Sequence, residues 1–209
     1  MEALDLFPVS IYRYQHTDDG EKEYIRNFIL EDIIEESSRC SVPEDWATDN
    51  LKTSFPGGGS IIDKHGEFFY AIFRKFLNEM FEGVLFDLHG DIWFNYYEKG
   101  SYQELHEHLS EIETRAQYSC IYFLSYDDEV HTPVEFHDPI SLLRKHSCSR
   151  SFEFKMGEVG EWFVPKVSEG TFLVFPTYLQ HRVLPQKVSD KPRITISFNV
   201  SIDEFEDLR

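Results

Sequence analysis

From residue 91 onward the chain changes texture: short runs rich in aromatic and β-branched residues follow one another, with turn residues between them. Strands are expected near 91–98, 104–109, 117–125, 133–137, 151–156, 161–167, 171–175, 180–185 and 192–201. Strands this short and this many cannot bury an apolar face singly, so they must close on one another as a sandwich or jelly roll. Upstream, 6–14 alternates around Val9, Ile11 and Tyr14 and reads as an opening strand. A helix over about 21–38 follows, with Tyr24, Ile25, Phe28, Ile29, Ile33 and Ile34 on one stripe. A second helix over about 66–82 carries Phe69, Ile72, Phe73, Phe76, Leu77, Met80 and Phe81 at the same spacing, the pattern of a face packed on a sheet. Between them, 40–60 contains Pro43, Pro56 and the glycines 57–59, and is expected to be a loop. The fold class is therefore mainly β with supporting helices: one domain over 1–209, in which 1–90 supplies a strand and two helices and 91–209 the β core.

Composition removes several classes of function. With 41% hydrophobic, 16% aromatic and 28% charged residues the chain is an ordered globule and not a disordered segment. A formal net charge of −18 repels phosphate backbones, and no basic stripe interrupts it, so nucleic acid is excluded as an expected partner. The same field biases substrate choice toward cationic or neutral molecules. Cys40, Cys120 and Cys148 share no C-x-x-C spacing, which fits a reducing cytoplasm better than a disulfide framework. The start of the chain lacks a basic region followed by an apolar stretch, and no stretch approaches the length of a membrane span. A cytoplasmic protein is expected, with no membrane partner and with homo-oligomerisation left open.

The segment Leu105-His106-Glu107-His108 sets two imidazoles two residues apart. On a strand that spacing puts both on one face, where they can share a metal, while Glu107 points to the other face. A third histidine, His181, follows the strand at 171–175 and the turn-forming Pro176. Three protein ligands leave half of an octahedron open, as non-haem iron oxygenases need, though imidazole also suits zinc, copper and nickel. Taken alone, an H-x-H pair is as readily two packed or surface histidines.

The neighbours of these histidines carry a resemblance. Tyr97-x-x-Gly100 precedes His106, the strand Cys120-Ile-Tyr-Phe-Leu124 follows His108, and Gly170-Thr-Phe-Leu-Val-Phe-Pro176 leads into His181. Arg193-Ile-Thr195 stands about a dozen residues beyond. In these features the chain resembles the 2-oxoglutarate and Fe(II)-dependent dioxygenases of the prolyl-hydroxylase-like superfamily, in particular its small bacterial and phage branch. The likeness is dense over about 93–200 and thin before it. It implies a double-stranded β-helix of cupin-like form; if the chain is phage-encoded, the expected cytoplasm is the host's. It also implies Fe(II) held by His106, His108 and His181, with His108 standing where the commoner pattern has an aspartate. 2-Oxoglutarate and O2 would be cosubstrates and ascorbate an accessory reductant.

The resemblance further implies that Arg193 and Thr195 bind the far carboxylate of 2-oxoglutarate. The residue types suit that role: a planar guanidinium meets a carboxylate through two parallel hydrogen bonds, and alternation puts Arg193, Thr195 and Ser197 on one face of the closing strand. Asn95 and Tyr97, also on one face, are candidates to hydrogen-bond the cosubstrate. The implied activity is a hydroxylase of a protein side chain or small metabolite, with 2-oxoglutarate decarboxylated to succinate and CO2. Two alternatives stand beside it. One is a three-histidine iron dioxygenase that uses no 2-oxoglutarate, and the other is a non-catalytic jelly-roll binding protein. Of the remaining histidines, His16, His65 and His89 are expected to be solvated at turns or element ends. His131, His137 and His146 fall in or beside an irregular stretch, 138–149, that would cover the site.

Overall fold

The computed structural model describes residues 9–48, 50–56, 59–82, 84–109, 116–141, 161–187 and 190–205. Its elements are, in chain order, β1 (Tyr12–Gln15), α1 (Asp19–Tyr24) running through a π-helical turn (Ile25–Ile29) into α2 (Leu30–Ser37), β2 (Lys52–Thr53), α3 (Gly59–Met80) and β3 (Val84–Tyr97). There follow β4 (Gln103–His106), β5 (Tyr118–Ser125), β6 (Val134–His137), β7 (Trp162–Phe163), β8 (Thr171–Pro176), β9 (His181–Val183) and β10 (Arg193–Phe205). The strands form two antiparallel sheets, a major one in the order β1-β8-β5-β10-β3-β2 and a minor one in the order β4-β9-β6-β7. This is the expected jelly roll with its helices on one face.

The parity of the major sheet decides where everything else lies. On one face, Ile92, Phe94 and Tyr96 of β3, Cys120, Tyr122 and Leu124 of β5, Phe172 and Val174 of β8, and Ile194, Ile196, Phe198 and Val200 of β10 meet the helices. The helices answer with Ile25, Ile29 and Ile33 and, from α3, Phe69, Ile72, Phe73, Phe76 and Leu77. Phe73 is the hub of this layer: its ring stacks on Phe198 at 4.4 Å and on Phe172 at 5.6 Å. On the other face Ile121, Phe123, Leu173 and Phe175 pack against Val134, Phe136 and Val183 of the minor sheet.

Several boundaries differ from those expected. Helix α3 starts at Gly59, not near Gly66, because the Glu36 carboxylate accepts a hydrogen bond from the Ser60 N–H at 2.9 Å and so caps the helix from another element. The first helix starts at Asp19, since the Asp18 side chain accepts from the Glu21 N–H at 3.0 Å. Strand β3 begins at Val84, and the region expected to be loop contains β2, which pairs with β3. Strand β4 ends at His106, so the expected strand 104–109 is too long. The expected strand at 151–156 and most of the stretch at 138–149, His146 included, lie outside the described residues.

His16 and His65 are buried, contrary to the expectation of solvated positions. The Tyr122 hydroxyl lies 2.8 Å from Nδ1 of His16, whose Nε2 faces Glu21 at 2.8 Å, and Nε2 of His65 faces Asp32 at 2.8 Å. Each has a partner brought by tertiary packing, which is why neither could be placed from its local sequence. Among the described residues no helix is long and apolar enough to cross a membrane.

Removing the hub ring should show how much of the molecule hangs on the helix-to-sheet layer. A Phe73→Ala substitution leaves a cavity with no water-filled alternative and is expected to cost about 3–5 kcal/mol, read as a lowered urea midpoint.

Candidate metal centre

His106 ends β4 and His181 begins β9, and the two are direct antiparallel partners, which brings their ring centroids to 4.2 Å. His108 lies beyond the end of β4, so strand parity does not place it. Its backbone N–H donates to the Thr177 carbonyl at 2.9 Å, and that tether turns its ring back to 5.3 Å from His106 and 5.4 Å from His181. Each of the three offers one ring nitrogen, and these nitrogens lie within 4.8 Å of one another.

The rings are prepared to act as ligands. Nδ1–H of His106 donates to the Glu104 carbonyl at 2.9 Å, and Nδ1–H of His181 donates to the Leu179 carbonyl at 3.0 Å. These bonds fix the tautomer and leave the Nε2 lone pair available, the usual arrangement behind a metal-bound imidazole. Burial, with the neighbouring His108 adding to it, pushes the pKa of His106 down to about 4. His181 is lowered well below its ordinary value by burial and then by His106 and His108. Both are therefore neutral near pH 7, and the donor set fits a divalent first-row cation.

These rings open on a cavity of about 310 Å³ between the two sheets. Arg193, Thr195, Asn95 and Tyr97 line it as well, so every sequence-predicted site residue is brought to one space. Arg193 is 1% exposed, with its guanidinium 4.4 Å above the Tyr97 ring and 5.5 Å from that of Phe123. Among the described residues its Nε and Nη1 have no hydrogen-bond partner, and no carboxylate forms an ion pair with it. A permanent charge buried in this way is stable only if an anion reaches it. Thr195 is buried one residue pair further along β10, opposite Asn95 of β3. Tyr97 donates its hydroxyl to Gln103 at 2.9 Å, and Asn95 keeps Oδ1 unpartnered. Gly100, at φ 83°, makes the turn between β3 and β4, a conformation that accounts for glycine in Tyr97-x-x-Gly100.

Other candidates fall elsewhere. Glu107 stands at the cavity rim and accepts a hydrogen bond from Gln180 at 3.1 Å, outside the three-nitrogen cluster. His137 faces Glu161 at 3.7 Å and does not line the cavity, and His131 is buried with its Nε2 directed at the Lys191 carbonyl. Reading the sequence alone missed Trp46, Phe55, Trp93 and Glu104, which also line the cavity. Two of these come from the stretch expected to be a featureless loop, and no local signal marks them.

The chain belongs to the 2-oxoglutarate and Fe(II)-dependent oxygenases: residues 91–199 match the family described as "Putative 2OG-Fe(II) oxygenase", and with it come Fe(II), 2-oxoglutarate and O2 as cofactor and cosubstrates. The chain is thus an oxidoreductase, a dioxygenase by class. No curated protein matches it in sequence. Its fold is similar to that of a prolyl-4-hydroxylase from Pseudomonas putida, with 13% identity, 94% of each chain covered and a TM-score of 0.57. It is also similar to that of a Trichoplax adhaerens prolyl hydroxylase solved with a peptide of the hypoxia inducible factor oxygen degradation domain. There the identity is 10%, 94% of this chain and 84% of the other are covered, and the TM-score is 0.57.

The lowered histidines set a pH window for the metal-free protein. Their folded pKa values lie below 6.5, so as pH falls from 6.5 toward about 4 the unfolded chain takes up protons that the folded chain refuses. The stability they contribute is complete above that window and is lost through it, with His16 and His131, lowered chiefly by burial, adding in the same sense. The urea midpoint should fall across this range, and the fall should be shallower in a His106→Gln variant.

Proposed function

We propose that the chain is a hydroxylase in which His106, His108 and His181 hold the ferrous ion and Arg193 with Thr195 holds the far carboxylate of 2-oxoglutarate. The observation that carries this reading is the guanidinium of Arg193, buried, with Nε and Nη1 unpartnered among the described residues, and lining the same cavity as the three imidazoles. When bound, the iron and 2-oxoglutarate supply the oxidative chemistry, with O2 consumed and succinate and CO2 released as the substrate is oxidised. The substrate class by likeness is a protein side chain, prolyl among them, or a small metabolite.

The chain's own residues do the rest. Arg193 offers Nε and Nη1 as two donors to a carboxylate, Thr195 can add a hydroxyl, and the Tyr97 ring holds the guanidinium from one face. Asn95 and Tyr97 line the same cavity beside them, Asn95 with Oδ1 unpartnered among the described residues and Tyr97 with its hydroxyl donated to Gln103. Val134, Phe175 and Val183 line the cavity with apolar surface that excludes water and strengthens the charge pairing inside. Holding three neutral imidazoles instead of two and a carboxylate leaves the metal site one unit more positive.

That last feature is shared with three-histidine dioxygenases that use no 2-oxoglutarate, which is the competing reading. The buried guanidinium favours 2-oxoglutarate, whose far carboxylate supplies the anion it calls for, whereas the competing enzyme would need a carboxylate on its own substrate to fill that place. Anaerobic titration with Fe(II) and 2-oxoglutarate, followed by the visible charge-transfer band, tests metal, cosubstrate and chelation together. Binding is expected, and Arg193→Met should weaken it about 100-fold or more while the three-histidine site still takes up metal. Removing one partner of a buried charge pair costs roughly 2–5 kcal/mol, and each ~1.4 kcal/mol is tenfold. Absence of both 2-oxoglutarate affinity and uncoupled turnover to succinate would sink the proposal.

A further inference from the structure

Besides the imidazoles and Arg193, the cavity carries a set of aromatic rings and carboxylates that the cosubstrate does not need. Trp46 and Phe55 stack at 5.7 Å, Phe55 meets Trp93 edge-on at 5.2 Å, and Trp93 lies 6.3 Å from the ring of His108. The rings thus run from the segment at 43–48 to the metal centre. Trp46 and Phe55 are only partly buried, so their faces are available to a ligand. Asp45, Glu104 and Glu107 stand in the same lining, and Arg193 is the one Lys or Arg among its described residues.

The unpartnered atoms are more telling than the count of charges. Glu104 sits two residues before His106 on β4, where the pairing with β9 is bulged, and it lines the same cavity as His106. Its Oε1 accepts from the Ala47 N–H at 2.9 Å, while its Oε2 is buried and has no partner among the described residues. Asn95, 3% exposed, leaves Oδ1 equally unpartnered in the cavity. The buried lining therefore has two unmet demands of opposite kind: donors on Arg193 that call for an anion, and acceptors on Glu104 and Asn95 that call for a donor. 2-Oxoglutarate answers the first and leaves the second.

Charge leads to the same ligand. The two positive charges of the metal and the two negative charges of 2-oxoglutarate cancel, and Arg193 offsets one of the three carboxylates, so the loaded cavity is left negative. We propose that the substrate is cationic, an alkylammonium group, primary or N-methylated, received by Glu104 Oε2 among the rings of Trp46, Phe55 and Trp93. An ammonium supplies the donor that such an acceptor calls for, and over aromatic faces it gains a cation–π attraction that a neutral ring such as proline lacks. The inference rests on the reading of this cavity as the oxygenase active site.

The test uses the protein loaded with Fe(II) and 2-oxoglutarate in the absence of oxygen. Calorimetry compares N-acetyl-lysine methylamide with its ε-N-acetylated, neutral counterpart and with N-acetyl-proline methylamide. The lysine probe is expected to bind about tenfold tighter than either neutral probe, with a preference that shrinks as salt rises. Glu104→Gln keeps the acceptor for Ala47 but removes the charge, and should abolish about tenfold of that preference with no change in melting temperature. Trp46→Leu should reduce it severalfold. Equal or tighter binding of a neutral probe, no binding of the lysine probe, or a preference untouched by Glu104→Gln overturns the inference. Repeating the series without iron and cosubstrate keeps the two readings apart. Failure of 2-oxoglutarate to bind counts against the role of Arg193, while a missing lysine preference in loaded protein counts against the cationic substrate alone.

Discussion

The structure depends on a constraint in its major sheet: each central strand must be apolar on the face under α3 and compatible with a cavity on the other. β10 shows it most clearly, with Ile194, Ile196, Phe198 and Val200 in the helix layer and Arg193, Thr195, Ser197 and Asn199 buried on the alternate positions. A slip of one residue would drive a guanidinium and three polar side chains into the stack around Phe73 and leave four apolar ones facing the metal. The register is held by pairing on both sides, Thr195 against Asn95 of β3 and against Phe123 of β5. Packing of the helices thus fixes the position of Arg193, although no helix touches the cavity chemistry.

The minor sheet imposes a second constraint of shorter range. β4 and β9 are brief, and their direct pair is His106 with His181, so two of the three imidazoles come together wherever those strands pair. The third does not follow from strand geometry. His108 is past the last residue of β4 and is returned by a backbone hydrogen bond to Thr177, in the turn after β8. Position 108 is therefore the most adjustable of the three, because its placement depends on a loop and not on a ladder.

What could be read in the sequence follows from the range of the interactions involved. Period-two runs and the stripe of α3 gave the layers, because strand and helix periodicity are local properties. Arg193 and Thr195 were singled out by the resemblance, and alternation, which tells which side of a strand a residue occupies, put them on one face and Asn95 with Tyr97 on another strand's. His108 was named on strand parity and on the resemblance, and the parity argument fails because β4 ends at His106, even though the residue does reach the cluster. The buried networks of His16 and His65 were missed because their partners, Tyr122 and Asp32, are distant in sequence. The start of α3 was missed for the same cause, its cap being a carboxylate from α2. The aromatic wall was hidden most completely, because Trp46 lies in irregular chain and is held over the cavity by stacking on Phe55 and by the bonds of Glu104 and Tyr102 to its neighbour Ala47, all distant in sequence.

Glu104 links that wall to the metal centre and explains how a site of three neutral ligands can be tolerated in so acidic a chain. Where a carboxylate ligates iron, its charge is spent on the metal. Here the ligand positions are neutral, and a carboxylate of the same strand stands two residues earlier, outside the ligand set, with one oxygen tied to the 43–48 segment and the other buried and unpartnered among the described residues. The negative charge has moved from the metal to the wall. A carboxylate bound to a metal is largely neutralised, whereas one left on a dry wall keeps its full attraction for whatever approaches. In a chain of net charge −18, steering and the local wall then act in one direction, and selectivity for the molecule to be oxidised can be set without altering the residues that hold the iron.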